Sequence, residues 1–383
     1  MSKRVVLPGS TIGILGGGQL GRMTAIEAKK MGYRVLCLDP TPNSPCGQVS
    51  DGQIVGSFND LAAAAELAEQ SDVIIYEFEN ISAAVVKILE TKYNLPQGSG
   101  NLAITQDRVR EKGHLVQHGF PVVPYVVIHS PEELDAALNT VGFPAVLKSA
   151  LGGYDGKGQH VLRTGADIAV AMELMGRGEQ FVLEKLVELL GEVSVIVARR
   201  ADGVVSIFPV AENTHRKNIL HTTVVPARIT PELGARAVEL GRDIANSLQL
   251  VGILAIEMFV TAQGVIVNEL APRPHNSGHF SFGACYTSQF EQFVRAVCNL
   301  PLGPTDLLYP VVMINILGAD MPSLMRAIPK MPHHVKLHLY GKSGKLEQSR
   351  KMGHLLIKTN NPDSAIKWAE EVMWDQEASV GPV

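Results

Sequence analysis

The sequence predicts a mixed α/β fold: a parallel sheet with helices, then a small α+β unit, then a larger and mostly β region. Strand and helix patterns alternate over roughly the first hundred residues, from TIGILG to AAVVKILETK, as in a doubly wound parallel sheet. Near residue 105 the pattern changes to a proline-broken stretch, followed by strand, glycine-rich loop and strand. From residue 191 onward apolar strands predominate, with helices expected at 231–249 and 285–298. We therefore divide the chain into residues 1–105, 106–190 and 191–383.

The composition excludes several classes of protein. With 383 residues, 46% of them hydrophobic, the chain is long enough for more than one core. A formal net charge of −4 gives no basic surface for nucleic acid. Pro8 and Gly9 interrupt the N-terminal apolar run, so neither a signal peptide nor a membrane span is expected. The four cysteines lack C-x-x-C spacing, which favours free thiols and a cytoplasmic location.

The stretch GILGGGQLGRM, residues 13–23, predicts a tight turn between a strand and a helix, and the N-terminus of that helix is expected to offer N–H groups to an anion. Its glycines fit G-x-G-x-x-G, and Asp39 ends the next strand where a ribose-binding acid would lie. One interpretation is an NAD-dependent dehydrogenase. The other is that the turn, together with Glu77 and Glu79 at the end of a further strand, forms one wall of a cleft at the carboxyl edge of the sheet.

Two apolar strands flank TAQG in ILAIEMFVTAQGVIVNELAPR, which predicts a hairpin. If the turn centres on Gln263, Glu257 lies directly opposite Glu269, where like charges repel. A divalent cation such as Mg²⁺ would relieve that repulsion, since carboxylate oxygens are its preferred ligands. The alternative is a one-residue change of register that leaves two unrelated surface glutamates.

The segment GGYDGKGQ, residues 152–159, is rich in glycine and leaves backbone N–H groups free for phosphate oxygens. It is not a Walker loop, because no Lys-Ser/Thr follows the last glycine and a strand comes next. Lys148, in the preceding strand AVLKS, would direct its ammonium to the same place. A loop that covers phosphates in a mobile lid is therefore expected.

Two further clusters carry positive charge. NELAPRPHNSGH places Arg273, His275 and Asn276 directly after Glu269, and KSGKLEQSRKMGH contains Lys342, Lys345, Arg350 and Lys351. Such groups can neutralise phosphates and a transferred oxyanion, although a solvated basic turn is the commoner fate of such a run.

The order of Lys148, the glycine-rich loop, Glu192 and the Glu257/Glu269 pair resembles that of the ATP-grasp superfamily. Within it, GGYDGKGQ, YEFEN, NELAPRPHNSGH and RKMGH resemble the 5-(carboxyamino)imidazole ribonucleotide synthetase family of purine biosynthesis, from residue 12 to about 357. The resemblance implies an ATP-grasp fold with an N-terminal Rossmann-like domain, a lid and a C-terminal α+β domain. It also implies a homodimer that uses ATP, Mg²⁺ and bicarbonate to carboxylate 5-aminoimidazole ribonucleotide (AIR) through carboxyphosphate.

The resemblance assigns roles to matching positions. The expected ATP contacts are Arg108, Lys148, Gly153, Tyr154, Asp155, Gly156, Lys157, Gly158, Gln159, Glu184, Lys185, Leu186, Val187, Glu192, His215, Asn268 and Glu269. The expected ribonucleotide contacts are Gln19, Leu20, Glu77, Asn276, Lys342, Arg350 and Lys351. Asp155, Arg273, His275 and Lys351 would lie nearest the transferred carboxyl, and Glu257 and Glu269 would hold Mg²⁺. Where the family commonly has glycine before RKMGH, this chain has Ser349, which leaves the turn at Arg350 in question.

Three other functions stay open at this point. One is a different purine ATP-grasp enzyme, such as a formate-dependent glycinamide ribonucleotide transformylase. Another is the dehydrogenase, which would leave Glu257 and Glu269 without a role. The third is a non-catalytic nucleotide-binding regulator built on the same scaffold, against which the intact acids and lysine argue.

Overall fold

The structure, a computed structural model, describes residues 4–152, 158–175, 180–344 and 347–374. Within this part of the chain the strands form a four-stranded parallel sheet, a four-stranded antiparallel sheet and a nine-stranded antiparallel sheet. The expected mixed α/β class is confirmed. None of the helices described here is long and apolar enough to cross a membrane.

The N-terminal unit alternates strands and helices, as expected. Its elements are β1 (Thr11–Leu15), α1 (Gln19–Lys30), β2 (Arg34–Asp39), β3 (Gly52–Val55), α2 (Leu61–Glu69), β4 (Val73–Tyr76) and α3 (Ala83–Lys92). The parallel order β3-β2-β1-β4 brings the turn after β1, Asp39 and Glu77 to one edge of the sheet. Strand β3 has no clear sequence signal, because GQIV is at most partly buried and does not alternate.

Two helices then lead into the lid. The elements are α4 (Gly100–Thr105), α5 (Arg108–Gln117), β5 (Tyr125–Ile128), α6 (Leu134–Val141), β6 (Ala145–Ser149), β7 (Gln159–Leu162), α7 (Ile168–Met175) and β8 (Phe181–Lys185). The lid sheet has the order β5-β8-β6-β7, and its own apolar cluster includes Leu134, Leu147 and Phe181. The Asp107 side chain accepts the Val109 N–H at 2.9 Å, which caps α5 and fixes where its first turn begins.

The remaining elements build the large sheet. They are β9 (Gly191–Arg199), β10 (Val205–Ile207), β11 (Ala211–Arg216), β12 (Ile219–Val225), α8 (Pro231–Ser247), β13 (Gly252–Thr261), β14 (Gly264–Ala271), α9 (Ser281–Ala284), α10 (Gln289–Val297), β15 (Val311–Leu317), α11 (Met321–Ala327), β16 (Val335–Leu339), β17 (Lys351–Lys358) and α12 (Pro362–Ala369). The order is β14-β13-β9-β11-β12-β15-β17-β16, with β10 beside β9. The last three strands therefore extend the large sheet rather than forming a separate one. The helix expected at 285–298 begins at Gln289, because Ser288 caps it and accepts the Glu291 N–H.

One core joins the N-terminal sheet to the large sheet. Ile12 and Ile75 of the parallel sheet belong to the same buried cluster as Ile196, Phe293 and Met313. Since these side chains are at most 1% exposed, the two sheets are held in one arrangement. The carboxyl edge of the parallel sheet therefore faces the ends of β14 and β17 across a cleft.

Candidate active site

A cleft of about 730 Å³ lies where the N-terminal sheet, α5, the lid and the large sheet meet. Its lining includes every residue expected to bind the ribonucleotide and three of the four expected beside the transferred carboxyl. These are Gln19, Leu20, Glu77, Asn276, Lys342, Arg350 and Lys351, together with Arg273 and His275. The fourth, Asp155, lies outside the described residues, as do Gly153, Tyr154, Gly156, Lys157 and Lys345.

The N–H groups of the glycine turn are occupied by the protein's own carboxylates. Gly17 N–H donates to Asp39 Oδ2 at 2.9 Å, and Gly18 N–H donates to Glu77 Oε1 at 2.8 Å. A Cβ on Gly17 would collide with Asp39, so the missing side chain permits this close approach. The expectation that this turn offers N–H groups to a ligand anion is therefore wrong for Gly17 and Gly18. The dehydrogenase interpretation loses its basis with it, since a dinucleotide pyrophosphate needs those donors.

Glu77 itself is a buried carboxyl in the wall of the cleft, only 4% exposed. Burial raises its pKa to about 8, although the hydrogen bond from Gly18 acts in the opposite direction. Two residues further on, Glu79 accepts from Arg273 Nε. Burial acts against the charged form of Arg273, but Glu79 keeps the pKa of Arg273 raised. The same wall of the cleft therefore contains Glu77, a carboxyl with a raised pKa, and Arg273, whose positive charge is kept by Glu79.

Strands β13 and β14 place the two metal-site candidates opposite each other. Glu257 pairs with Glu269, as the sequence predicts, but the turn does not centre on Gln263. Thr261 pairs with Gly264, so the turn has two residues, which alone would set Glu257 opposite Asn268. A bulge at Asn268 shifts the register by one residue and restores the pair of carboxylates.

The acid pair fits a divalent cation. Burial and the charge of Glu269 raise the pKa of Glu257 to about 7, which indicates a repulsion that a cation would relieve. Asn268 Oδ1, beside them, is buried without a hydrogen-bond partner among the described residues. Arg108 Nη1 lies 3.4 Å from Glu269 Oε2, and His275 Nε2 lies 3.5 Å from Glu257 Oε1. The site therefore combines two carboxylates with an unused amide oxygen.

The lid contributes a buried network of charges. Lys148 on β6 donates to Glu184 on β8, with Nζ and Oε2 2.7 Å apart. Burial lowers the pKa of Lys148, while the carboxylate of Glu184 acts against this. Strand β8 ends at Lys185, whose N–H donates to Pro124 O at 2.9 Å. The next N–H, of Leu186, donates to Pro144 O at 3.1 Å, and Val187 follows directly in the connection to β9.

Two more expected ATP residues lie together on the large sheet. His215 Nδ1 is 2.8 Å from Glu192 Oε2, on the adjacent strands β11 and β9. Burial disfavours the charged imidazole, but the hydrogen bond with Glu192 raises the pKa of His215. In the lid, Gln159 pairs with Lys148 across β7 and β6, and Gly158 O accepts the Ser149 N–H at 2.8 Å.

Sequence reasoning misses three buried polar residues that support the site. Glu111 and Lys112 share the face of α5 that carries Arg108, at the spacing i, i+3, i+4. Glu111 accepts the Leu270 N–H at 3.1 Å, and burial raises its pKa to about 8. The helical spacing from Arg108 was the available signal for both. Asn315 exchanges two hydrogen bonds with Asn276, at 2.9 and 2.6 Å, and no local pattern indicates it.

The turn before RKMGH does not require glycine. Ser349 is not among the described non-glycine residues with positive φ. Arg350 N–H donates to Glu347 O at 3.0 Å, and its Nη1 donates to Ser343 O at 2.8 Å. The departure from the family's usual glycine therefore leaves Arg350 in the wall of the cleft.

Fold and site together define a class of ligases, and comparisons with known proteins agree. Residues 9–106 match the ribonucleotide synthetase preATP-grasp domain, residues 113–290 the ATP-grasp domain, and residues 311–367 the phosphoribosylaminoimidazole carboxylase C-terminal domain. The chain is thus an ATP-grasp ligase.

The relatives specify the family more closely. The N5-carboxyaminoimidazole ribonucleotide synthase of Bacillus subtilis (strain 168) is 47% identical over 373 residues, 97% of each chain. An enzyme of the same name from Staphylococcus aureus (strain N315) is 43% identical, over 92% of this chain and 94% of its own. A crystal structure of the ADP complex of an N5-carboxyaminoimidazole ribonucleotide synthetase superposes with a TM-score of 0.94 at 51% identity, covering 98% and 99%. The Aspergillus clavatus synthase, in complex with ADP and AIR, superposes with a TM-score of 0.87 at 29% identity, covering 95% and 97%. The chain belongs to the N5-carboxyaminoimidazole ribonucleotide synthase family.

Proposed function

We propose that this chain is a ligase of purine biosynthesis that carboxylates the amine of AIR with bicarbonate, using ATP, to give N5-carboxyaminoimidazole ribonucleotide, ADP and phosphate. The observation that carries the proposal is that one cleft is lined both by Glu269 of the acid pair and by Lys351 of the basic segment. One carboxylate of an acid pair suited to a metal, and cations suited to an anionic substrate, therefore face one volume.

We assign ATP to the side formed by the lid and the acid pair. Lys148 and Arg108 would neutralise phosphate oxygens. The N–H groups of Lys185 and Leu186 are taken by Pro124 O and Pro144 O, so these two residues would present their carbonyls to the base, together with the backbone of Val187. Glu192 would accept from the ribose hydroxyls. Mg²⁺ held by Glu257 and Glu269 would neutralise charge on the β- and γ-phosphates when bound.

We assign AIR to the opposite side. Gln19 and Leu20 form the wall after the glycine turn, and Lys342, Arg350 and Lys351 supply cations for the ribonucleotide phosphate. Asn276 lies between the two sides. Its amide is fixed by Asn315, which also donates to Leu220 O at 2.7 Å, so it is oriented before a ligand arrives.

The reaction proceeds in two displacements. A bicarbonate oxygen attacks the γ-phosphorus, the bond to the ADP oxygen breaks, and carboxyphosphate forms. The amine of AIR attacks the carboxyl carbon, or CO₂ released from it. The carbon–oxygen bond to phosphate breaks, and the amine loses a proton. Arg273 and His275, which line the cleft, would hold the transferred carboxyl. Their orientation would lower the barrier, and Arg273 would also neutralise charge.

The test compares substrates for ATP-dependent release of phosphate. AIR with bicarbonate should support turnover, and formate with glycinamide ribonucleotide should not. Labelled bicarbonate should appear in the product in proportion to the phosphate released. Turnover with formate and glycinamide ribonucleotide alone would overturn the proposal in favour of the transformylase.

Two further expectations, on the oligomeric state and on the location in the cell, belong to the same proposal. The family resemblance supports a homodimer, which light scattering on the purified protein would test. A cytoplasmic location is supported by four buried, free cysteines, and fractionation of cells would test it. The division into domains at residues 105 and 190 also stays a prediction.

A further inference from the structure

A buried cation in the site has no role in the reaction as proposed. Lys112 is 1% exposed, and its Nζ lies 2.9 Å from Glu184 Oε1. The second oxygen of the same carboxylate lies 2.7 Å from Lys148 Nζ. One carboxylate, itself 3% exposed, thus bridges two ammonium groups that come from different parts of the chain.

The two lysines reach Glu184 from opposite sides because of the local architecture. Glu184 lies on β8, which pairs with β6, where Lys148 lies, and with β5, where Tyr125 is directly opposite Glu184. Lys112 comes from α5, outside the lid sheet, and its Nζ is 5.7 Å from the centre of the Tyr125 ring. The network therefore connects α5 to the strand that carries Lys148.

Lys112 changes the net charge of the buried network. A buried Lys148–Glu184 pair alone would be neutral, and the charge of Lys148 would be largely cancelled before a phosphate arrived. With Lys112 the network consists of two ammonium groups and one carboxylate, which carry a net charge of about +1. A neutral pair attracts a polyphosphate weakly, whereas a buried network with a net positive charge attracts it strongly.

We propose that Lys112 is a positioning residue for ATP, which balances the charge of Glu184 so that Lys148 presents an uncompensated positive charge to the phosphates. The inference rests on the proposed role of Lys148. It differs from a purely structural role, in which Lys112 only holds α5 against the lid through its ion pair with Glu184.

Two substitutions separate these roles. Lys112→Gln keeps a polar side chain of similar size beside Glu184 but removes the charge, and Lys112→Arg keeps the charge. ADP binding is measured by calorimetry with Mg²⁺ present, together with KM for ATP, KM for AIR and kcat. We expect Lys112→Gln to weaken ADP binding by roughly tenfold, the effect of a charge that acts over several ångströms at intermediate dielectric constant, and to raise KM for ATP in parallel. Lys112→Arg should stay within about threefold of the wild type, and KM for AIR should stay unchanged in both.

The pH profile gives a readout that a structural role would not change. Lys148 faces Glu184 on β8, and Arg108 and Lys112 on α5. The charge of Lys112 lowers the pKa of Lys148, so its loss should move the alkaline limb of kcat/KM for ATP to higher pH. Lys112→Arg should leave that limb in place.

The outcomes are distinct. Wild-type ADP binding in Lys112→Gln, or equal defects in Lys112→Gln and Lys112→Arg, would overturn the inference. Lys148→Met serves as the reference and should weaken ADP binding at least as much as Lys112→Gln. Unchanged ADP binding in Lys148→Met would remove the proposed phosphate site itself, and the inference with it.

Discussion

The repulsion between Glu257 and Glu269 predicts that removing one carboxylate stabilises the metal-free protein. Burial and the charge of Glu269 raise the pKa of Glu257 to about 7, against an ordinary value of 4.5. At about 1.4 kcal/mol for each factor of ten in proton affinity, that difference corresponds to on the order of 3 kcal/mol. A carboxyl with a raised pKa binds its proton more tightly in the folded state. The protonated carboxyl of Glu257 therefore contributes to the stability of the folded state below pH 4.5, and this contribution is lost as the pH rises through about 7.

The substitution Glu257→Gln removes the group whose ionisation lowers the stability of the folded state at high pH. In EDTA, the variant and the wild type should have similar melting temperatures near pH 4.5. At pH 8 the variant should melt several degrees higher. With Mg²⁺ and ATP the order should reverse at pH 8, because only the wild type gains the binding energy of the metal. Turnover should fall by orders of magnitude in Glu257→Gln and in Glu269→Ala.

The control is Glu66→Gln, which removes an exposed carboxylate on α2, remote from the hairpin. It should change neither the pH dependence nor the response to Mg²⁺. If the melting temperatures of Glu257→Gln and the wild type differ by the same amount at pH 5 and pH 8, the two acids do not repel as argued. Unchanged turnover in Glu269→Ala would refute the metal assignment.

Three further predictions concern groups around the cleft. Asn315→Ala removes the partner of the Asn276 amide and should raise KM for AIR about tenfold, with little change in KM for ATP. Equal rises in the two KM values would indicate a general loss of structure. Glu192→Gln should lower the melting temperature at pH 6 more than at pH 9. Glu192 raises the pKa of His215, so its interaction with the charged imidazole stabilises the fold at low pH and is lost as the pH rises. A difference in melting temperature that is the same at both pH values would contradict this prediction. Ser349→Gly should leave KM for AIR within about twofold, since Ser349 does not adopt positive φ; a large fall in KM would show that the serine impairs the turn.

Patterns of local origin could be predicted, and long-range pairings could not. The alternation of strands and helices and the hairpin of β13 and β14 follow from periodicity and turn residues. The pairing of Glu257 with Glu269 was correct for an incomplete reason, because two departures from the assumed hairpin cancel. Neither the two-residue turn nor the bulge at Asn268 has an unambiguous signal in TAQGVIVNEL.

The glycine turn shows the limit of a motif. Its spacing correctly predicts a strand, a tight turn and a helix, since those features depend on glycine conformations. What occupies the N–H groups depends on Asp39 and Glu77, which come from other strands. The Asn276–Asn315 pair is similar, since it requires β15 to lie beside β12, a contact between distant segments.

The extension of the large sheet by β15, β16 and β17 explains how the cleft obtains its charge balance. The walls from the N-terminal sheet, α5 and β14 carry the carboxylates Glu77, Glu79, Glu111 and Glu269, with Arg108 and Arg273 as their cations. Lys342 and Arg350 come from the segment between β16 and β17, and Lys351 is the first residue of β17. They reach the cleft because β15 pairs with β12 and β17 with β15. Without those strands the cleft would lose these three cations, which suit a ribonucleotide phosphate. The C-terminal strands are therefore the part of the fold that brings to the cleft the three cations proposed to bind the ribonucleotide phosphate.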